Sequence, residues 1–197
     1  MTTELRHHIG DVELVVLPDS GGKVGSLRIG DHEVLAPVDP DDPIRGGSFP
    51  MVPWAGRIRH GSFAFGGEQH LLPINLGAHA IHGTAFDRPW TVVDDTTMRC
   101  DLGDRWPFDG SVVARWELTA DSLHQSLEVH ADEPMPVAVG WHPWFRRRLA
   151  VGEPVELDCE PGCMFERDDE GIPTGRTVAV APGPWDDCFG ELAGPVV

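Results

Sequence analysis

The sequence has few basic residues. It contains 15 Lys and Arg against 32 Asp and Glu, which gives a formal net charge of -17. A field of this sign repels nucleic-acid phosphates and anionic membranes. We therefore expect no nucleic-acid partner, and the charge mildly disfavours a phosphorylated or carboxylated ligand.

Long apolar runs and a secretory leader are also missing. No run approaches the roughly 20 apolar residues that a membrane span needs, and residues 1–10 lack a basic start followed by an apolar stretch. The sequence thus predicts a cytoplasmic protein without a membrane partner. The four cysteines are irregularly spaced, which is typical of reduced thiols. Cys159 and Cys163 have three residues between them and no second pair follows, so the spacing disfavours a zinc site.

Helical periodicity is absent as well. Twenty-three Gly and 18 Pro interrupt the chain, and no window of a dozen residues keeps a 3.6-residue apolar period. Short alternating or β-branched runs recur instead and predict an all-β sandwich, in one domain over residues 1–197. The predicted strands are 12–17, 24–29, 62–65, 68–72, 90–93, 112–118, 123–130 and 177–180.

Two of these strand pairs predict hairpins. Gly66 and Gly67 can adopt the positive φ angles that a two-residue turn demands. A second turn is predicted at residues 120–122, between strands whose alternate residues are apolar and would bury one face. Residues 37–47 are polar and rich in turn formers, and we expect a long surface loop there.

Two histidines stand in apolar surroundings, His82 before Gly83 and His142 in a run of aromatic residues. Histidine titrates near neutrality, so two of them facing one pocket can transfer protons at physiological pH. Arg57 is the one charged residue in an apolar segment, residues 50–58. The first hypothesis is a proton-transferring site with a fixed cation. The alternatives are core histidines bonded to backbone carbonyls and an arginine that holds a turn.

The other histidines have less to suggest chemistry. His79 and His82 have the spacing of a metal-binding pair, but no third ligand is indicated nearby, and we expect no metal. His124 and His130 lie six residues apart on one predicted strand, which separates them by roughly 20 Å. They cannot share a ligand.

Several segments, taken in order, resemble the aldose 1-epimerases, also called galactose mutarotases. They are residues 21–27, 53–58, 81–83, 89–90, 142–145 and 186–189. The resemblance implies a large antiparallel β-sandwich, the galactose mutarotase-like supersandwich. It also implies an isomerase that interconverts the α and β anomers of a free aldohexose such as galactose or glucose, with no metal or organic cofactor.

The same resemblance implies roles for individual residues. His142 would be the acid at the ring oxygen, and His82 would hydrogen-bond the same region. Arg57 would donate to sugar hydroxyls and Asp186 would accept from them. Trp54 or Trp144 would stack on the C–H face of the monosaccharide.

One part of the family pattern has no match. The family's general base is a glutamate in a late strand, and this sequence ends eight residues after Phe189. We therefore expect a sandwich that lacks its last strands, with an exposed edge covered by a homodimer or by the missing C-terminal segment. Glu166 or Asp187 would be a substitute base. Without one, the chain is expected to catalyse mutarotation poorly or not at all.

Three other functions compete with mutarotation. One is a carbohydrate-binding homologue that binds sugar without turnover. Another is a hexose-6-phosphate mutarotase, for which residues 146–148, all arginine, offer a basic cluster. The third is a metal-dependent β-barrel enzyme that uses His79, His82 and His142, although the sequence lacks the His-x-His pair that such barrels often carry.

Overall fold

The computed structural model describes residues 3–194, and these residues form β-strands, turns and three short 3-10 segments. The predicted all-β class is confirmed. The strands, in chain order, are β1 Leu5–Ile9, β2 Val12–Leu17, β3 Lys23–Ile29, β4 His32–Glu33, β5 Ser48–Met51, β6 Arg57–Ile58, β7 Ser62–Phe65, β8 Glu68–Leu71, β9 Ala80–Ile81, β10 Thr91–Asp94, β11 Thr97–Asp101, β12 Gly110–Leu118, β13 Leu123–Ala131, β14 Gly140–Pro143, β15 Pro161–Arg167, β16 Pro173–Val178 and β17 Phe189–Leu192.

The chain packs as two compact units, where the sequence predicts a single domain. The first extends to Glu153 and the second begins at Pro154. The first unit holds a six-stranded sheet, a four-stranded sheet and two two-stranded ribbons, while the second holds one three-stranded sheet. The pairings between these strands are antiparallel, as the sequence analysis expects.

The six-stranded sheet has the order β1-β2-β3-β5-β14, with β4 paired to β3. Its centre is apolar because β2 is buried at four of its six positions and β5 at three of its four. β14 is far from β5 in sequence but pairs with it over four residues. That pairing positions one of the two histidines singled out above.

The four-stranded sheet has the order β10-β11-β12-β13. Along β12, Val112, Ala114 and Trp116 are buried while Arg115 and Glu117 are exposed. β13 alternates between half-buried and exposed residues over most of its length. This period of two confirms the predicted hairpin and its buried face.

The core of the first unit contains a stack of aromatic rings. Trp54 and Trp106 lie 5.5 Å apart between ring centroids, and Phe63 stacks on Trp106 at 5.4 Å. Phe108 completes the group with its centroid 5.6 Å from that of Trp106. Large rings of this kind bury much apolar area, so they account for a considerable part of the packing in this region.

Several strand predictions are confirmed and others fall short. β2 and β7 begin and end as predicted, and the Gly66-Gly67 turn joins β7 to β8 with both residues at positive φ. The strand predicted at 177–180 overlaps only the end of β16. Residues 37–47 form the predicted loop. Within residues 3–194 no helix is long and apolar enough to cross a membrane.

The second unit is a small sheet of order β16-β15-β17. Most of its residues are exposed or half-buried. Arg167 and Asp187 form an ion pair at 2.5 Å, which ties the central strand to the segment before β17. The backbone N–H of Phe165 also donates to the carbonyl of Cys188.

Candidate functional site

His142 is positioned by the pairing of β14 with β5. In this register His142 lies opposite Phe49. Their rings stack with centroids 4.8 Å apart and planes at 11°. Because Phe49 is fully buried, it gives the imidazole a rigid apolar support on a central strand of the sheet.

His82 is positioned by the short ribbon of β6 and β9. Arg57 pairs with Ile81 in this ribbon. Because His82 directly follows Ile81 in the chain, Arg57 and His82 lie close together. The backbone N–H of Gly56 donates to Nδ1 of His82 at 3.2 Å, and the N–H of His82 donates to the carbonyl of Gly56 at 3.1 Å. These two bonds fix both the backbone and the ring of His82.

Gly83 allows two segments to approach closely. It bridges to Val52, and a Cβ at position 83 would lie 1.8 Å from the Val52 carbonyl oxygen. Its φ of +88° is also in the region that favours glycine. Gly83 is therefore required for the 52–58 segment, with Arg57, to lie beside His82.

The two histidines meet in the first unit. Their ring centroids are 5.1 Å apart, with the planes at 73°, and both side chains are half-buried. Two imidazoles at this separation can act on neighbouring atoms of one small ligand. The predicted juxtaposition of His82, His142 and Arg57 is thus found in the structure.

Burial, together with the smaller effects of the nearby charges of His142 and Arg57, lowers the pKa of His82 from 6.5 to about 4. His82 is consequently neutral at physiological pH. Since its Nδ1 accepts a hydrogen bond, the proton is on Nε2. His82 can then donate a hydrogen bond from Nε2 without carrying a charge.

The two tryptophans proposed for sugar stacking lie in different places. Trp54 is 6% exposed and stacks on Trp106 in the core. Trp144 is 37% exposed, and its ring lies nearly parallel to that of His142, at 5.5 Å and 25°. Of these two alternatives, Trp144 is the one beside the histidine pair.

The acidic candidates belong to the second unit. Asp186 is exposed. Glu166 accepts hydrogen bonds from Thr174 and Arg176, and these bonds lower its pKa. Asp187 is bound to Arg167. The structure describes these residues within their own unit, so their relation to His82 and His142 remains a prediction.

The third histidine of the metal alternative has a different role. His79 is buried, and its Nδ1 accepts a hydrogen bond from the backbone N–H of His60 at 3.1 Å. Across residues 3–194, His, Cys, Asp and Glu form no group of three or more that fits a metal ion. Arg146, from the basic cluster, directs Nε to the Leu35 carbonyl oxygen at 2.9 Å.

A cavity of about 780 Å³ lies elsewhere in the first unit, between β1 and the β12–β13 hairpin. His7, Trp116 and His124 line it, and neither His82 nor His142 does. His7 packs edge-on against Trp116 at 5.7 Å. Since Nε2 of His7 and Nε1 of Trp116 are both closed off from solvent, this cavity offers a ligand no direct bond to either atom.

Sequence reasoning missed two residues of the histidine site. Phe49 supports His142, but its strand is too uniformly buried to show an alternating pattern. Lys23 places its ammonium 5.9 Å from the centroid of the Phe49 ring. The sequence did contain a signal for Lys23, because its charge stands inside the short apolar strand after Gly21-Gly22.

Two curated proteins of Escherichia coli K12 are similar to the chain. The uncharacterized protein YphB is 32% identical over 104 residues, which cover 49% of this chain and 36% of YphB. The uncharacterized protein YihR is 22% identical over 179 residues, covering 84% of this chain and 57% of YihR. The chain therefore spans only about one third to somewhat over one half of these relatives.

Solved structures share the fold at low sequence identity. An aldose epimerase homologue from Caenorhabditis elegans superposes with a TM-score of 0.76 at 20% identity, over 98% of this chain and 65% of that one. A galactose 1-epimerase from Lactobacillus acidophilus gives 0.66 at 21% identity, over 98% and 66%. The sequence model of aldose 1-epimerases matches residues 4–188. The chain is thus a member of the aldose 1-epimerase family, with the galactose mutarotase-like fold.

Proposed function

We propose that the chain acts on a free aldohexose, galactose or glucose, and interconverts its α and β anomers. The observation that carries this proposal is the pair of imidazoles, His82 and His142, with ring centroids 5.1 Å apart and Arg57 beside them. Family membership supports the reaction type. The half-buried rings favour a small ligand that is partly removed from water.

The chemistry needs two opposed proton transfers. A base takes the proton of the anomeric hydroxyl while an acid protonates the ring oxygen; the C1–O5 bond breaks and an aldehyde forms. Rotation about C1–C2 and closure in reverse give the other anomer. In the proposal His142 is the acid, and neutral His82 donates a hydrogen bond from Nε2 toward the ring oxygen.

Other residues bind the sugar in this proposal. Arg57 donates to hydroxyl groups of the sugar, while the role of Asp186 stays a prediction from the family resemblance. The exposed face of Trp144 stacks on the C–H face of the sugar, next to His142. The proton transfers in this proposal need side chains and no cofactor.

The test is the rate of anomer exchange of freshly dissolved α-D-galactose and α-D-glucose, followed by polarimetry. We expect acceleration that is lost at least about 100-fold in His142→Ala, as for removal of a general acid. His124→Ala is the matched control, because His124 is exposed on β13. Equal rates for wild type and His142→Ala would contradict the proposal.

A second candidate function is sugar binding without turnover. The observation that favours it is that both substitute bases, Glu166 and Asp187, are already bound to arginine side chains. A carboxylate held in this way, with its pKa lowered in the case of Glu166, is a weaker base. Binding residues can persist without the base that completes the reaction.

Calorimetry with galactose distinguishes the two functions when it is run beside polarimetry. Heat of binding with anomer exchange supports mutarotation, whereas heat of binding at the uncatalysed exchange rate supports the binding function. An Arg57→Met variant should lose binding in either case. Absence of binding by a folded wild-type chain would contradict both functions.

A further inference from the structure

Lys23 is the single lysine of the sequence; the other 14 of the 15 basic residues are arginines. It is 2% exposed, on β3. An ammonium taken out of water is costly unless strong partners hold it. The partners of Lys23 therefore indicate what this buried charge does.

The Lys23 ammonium binds the 37–47 loop. Nζ donates to the carbonyl oxygen of Pro43 at 2.7 Å. Burial lowers the pKa of Lys23, and the nearby carboxylate of Asp42, also in the loop, opposes this change. Both polar interactions of the ammonium thus involve loop residues, while Phe49 lies beneath it at 5.9 Å.

The Trp144 indole binds the next carbonyl of the same loop. Its Nε1 donates to the Ile44 oxygen at 3.0 Å. Two successive loop carbonyls are therefore held by side chains from β3 and from the segment after β14. Phe49, in contact with Lys23, and Trp144 are also the two rings that lie nearly parallel to the His142 imidazole.

The loop has little else to set its position. It contains no strand, and several of its hydrogen bonds are internal, such as those from Arg45 N to Asp42 O and from Asp39 N to Arg45 O. Its C-terminal end is fixed by Gly47, whose N–H donates to the Ala36 carbonyl and whose carbonyl accepts from the N–H of Trp144. The middle of the loop therefore depends on the Lys23 and Trp144 bonds.

We propose that Lys23 is a positioning residue, whose buried ammonium acts with the Trp144 indole to hold the 37–47 loop against the ring stack around His142. The anchoring is a property of the folded chain alone. Its effect on catalysis rests on the proposed mutarotase function. Releasing the loop loosens the contact that orients Trp144, and through it and Phe49 the His142 ring.

Hydrogen exchange measures the anchoring directly. Lys23→Met keeps the length of the side chain but removes the donor, and we expect amides of Asp39 and Arg45 to exchange about tenfold faster. Lys23→Arg keeps the charge and should restore most of the protection. Arg115→Met is the matched control, since it removes one cation and one ion pair on distant β12.

Two results would overturn the proposal. One is unchanged loop exchange in Lys23→Met. The other is equal acceleration of the loop and of the β12–β13 hairpin, which indicates a merely structural charge. Trp144→Phe removes the second anchor and leaves the buried charge intact, so it tests the loop if Lys23→Met fails to fold. It should accelerate the same amides and shift the side-chain NMR signal of the single lysine; no change in either would equally reject the proposal.

Turnover gives a second readout. If wild type accelerates anomer exchange, kcat should fall about fivefold or more in Lys23→Met and recover in Lys23→Arg. An unchanged kcat in Lys23→Met would reject the positioning role. If wild type shows no turnover, the proposed function fails, while the exchange experiment still decides whether Lys23 anchors the loop.

Discussion

At the residue scale, the environment of His82 gives it a pKa unlike that of an ordinary histidine. Its Nδ1 is occupied by the Gly56 N–H, and burial with nearby positive charge lowers its pKa to about 4. A histidine that stays neutral cannot supply the titrating proton near pH 7. This is compatible with the acid role that the family resemblance implies for His142 in the proposed mechanism.

The lowered pKa of His82 predicts a pH effect on stability. The unfolded state binds a proton near pH 6.5 and the folded state only near 4, so protonation favours unfolding. The stability that neutral His82 contributes to the fold is fully present above about pH 6.5 and is lost as the pH falls toward 4. In urea unfolding, His82→Asn should show a weaker loss of stability over this window than wild type.

Asparagine is the appropriate replacement because His82 has φ of +59°, which asparagine tolerates better than most residues. His124→Asn, on an exposed position, should keep the wild-type pH dependence. Parallel stability curves for wild type and His82→Asn would contradict the prediction.

Gly83 predicts a large effect of a single methyl group. Gly83→Ala adds a Cβ 1.8 Å from the Val52 oxygen at φ of +88°, and we expect a loss of about 2–4 kcal/mol in unfolding free energy. Gly66→Ala is the control, since its φ is +61° but nothing lies within 4 Å of the new Cβ. It should cost about 1 kcal/mol. Equal losses in thermal or urea unfolding would show that the close approach to Val52 is unimportant.

At the element scale, the segment that follows His82 is held by one arginine. Arg105 donates to both carboxylate oxygens of Asp87, at 2.6 and 2.9 Å, and to the Thr84 carbonyl oxygen at 2.6 Å. Arg105 therefore holds residues 84–87, which directly follow Gly83, in place. A planar guanidinium is needed for this set of bonds.

Arg105→Lys should thus destabilise the chain by about 1–2 kcal/mol although it keeps the charge. The measurement is urea unfolding, together with hydrogen exchange of the Thr84 amide, which donates to the Val52 oxygen. Arg99→Lys is a suitable control because Arg99 is exposed and pairs with the exposed Asp101. If Arg105→Lys were as stable as wild type, Arg105 would not hold residues 84–87 in place.

The elements also show which strands a sequence can reveal. β13 alternates over most of its length and β12 over residues 114–118, so a period of two is visible there. β5 is buried throughout most of its length and contains Pro50, which cannot donate to a ladder. β14 has only four residues. These two strands carry Phe49 and His142, and a local pattern cannot show that they pair.

At the scale of the whole molecule, charge is the dominant feature. A net charge of -17 over 197 residues implies repulsion in the folded state at neutral pH. Raising the salt concentration from about 10 mM to about 150 mM shortens the screening length from about 30 to 8 Å. We expect the unfolding free energy at pH 7.5 to rise by about 1 kcal/mol.

Thermal or urea unfolding at the two salt concentrations checks this expectation. The salt effect should disappear near pH 4.7, where the calculated net charge is zero. A decrease of stability with salt at pH 7.5 would mean that ion pairs, such as Arg105 with Asp87, outweigh the repulsion.

The sequence alone determined the class of fold, several strands and the identity of the histidine pair. Alternation and glycine turns act over a few residues, and the ordered segments of the family resemblance extend over most of the chain. Only the tertiary structure decided that Trp54 stacks on Trp106 in the core, and that Phe49, with Lys23 beside it, supports His142. Phe49 and His142 lie on strands that are far apart in the sequence, and such pairings depend on how the strands assemble rather than on local pattern.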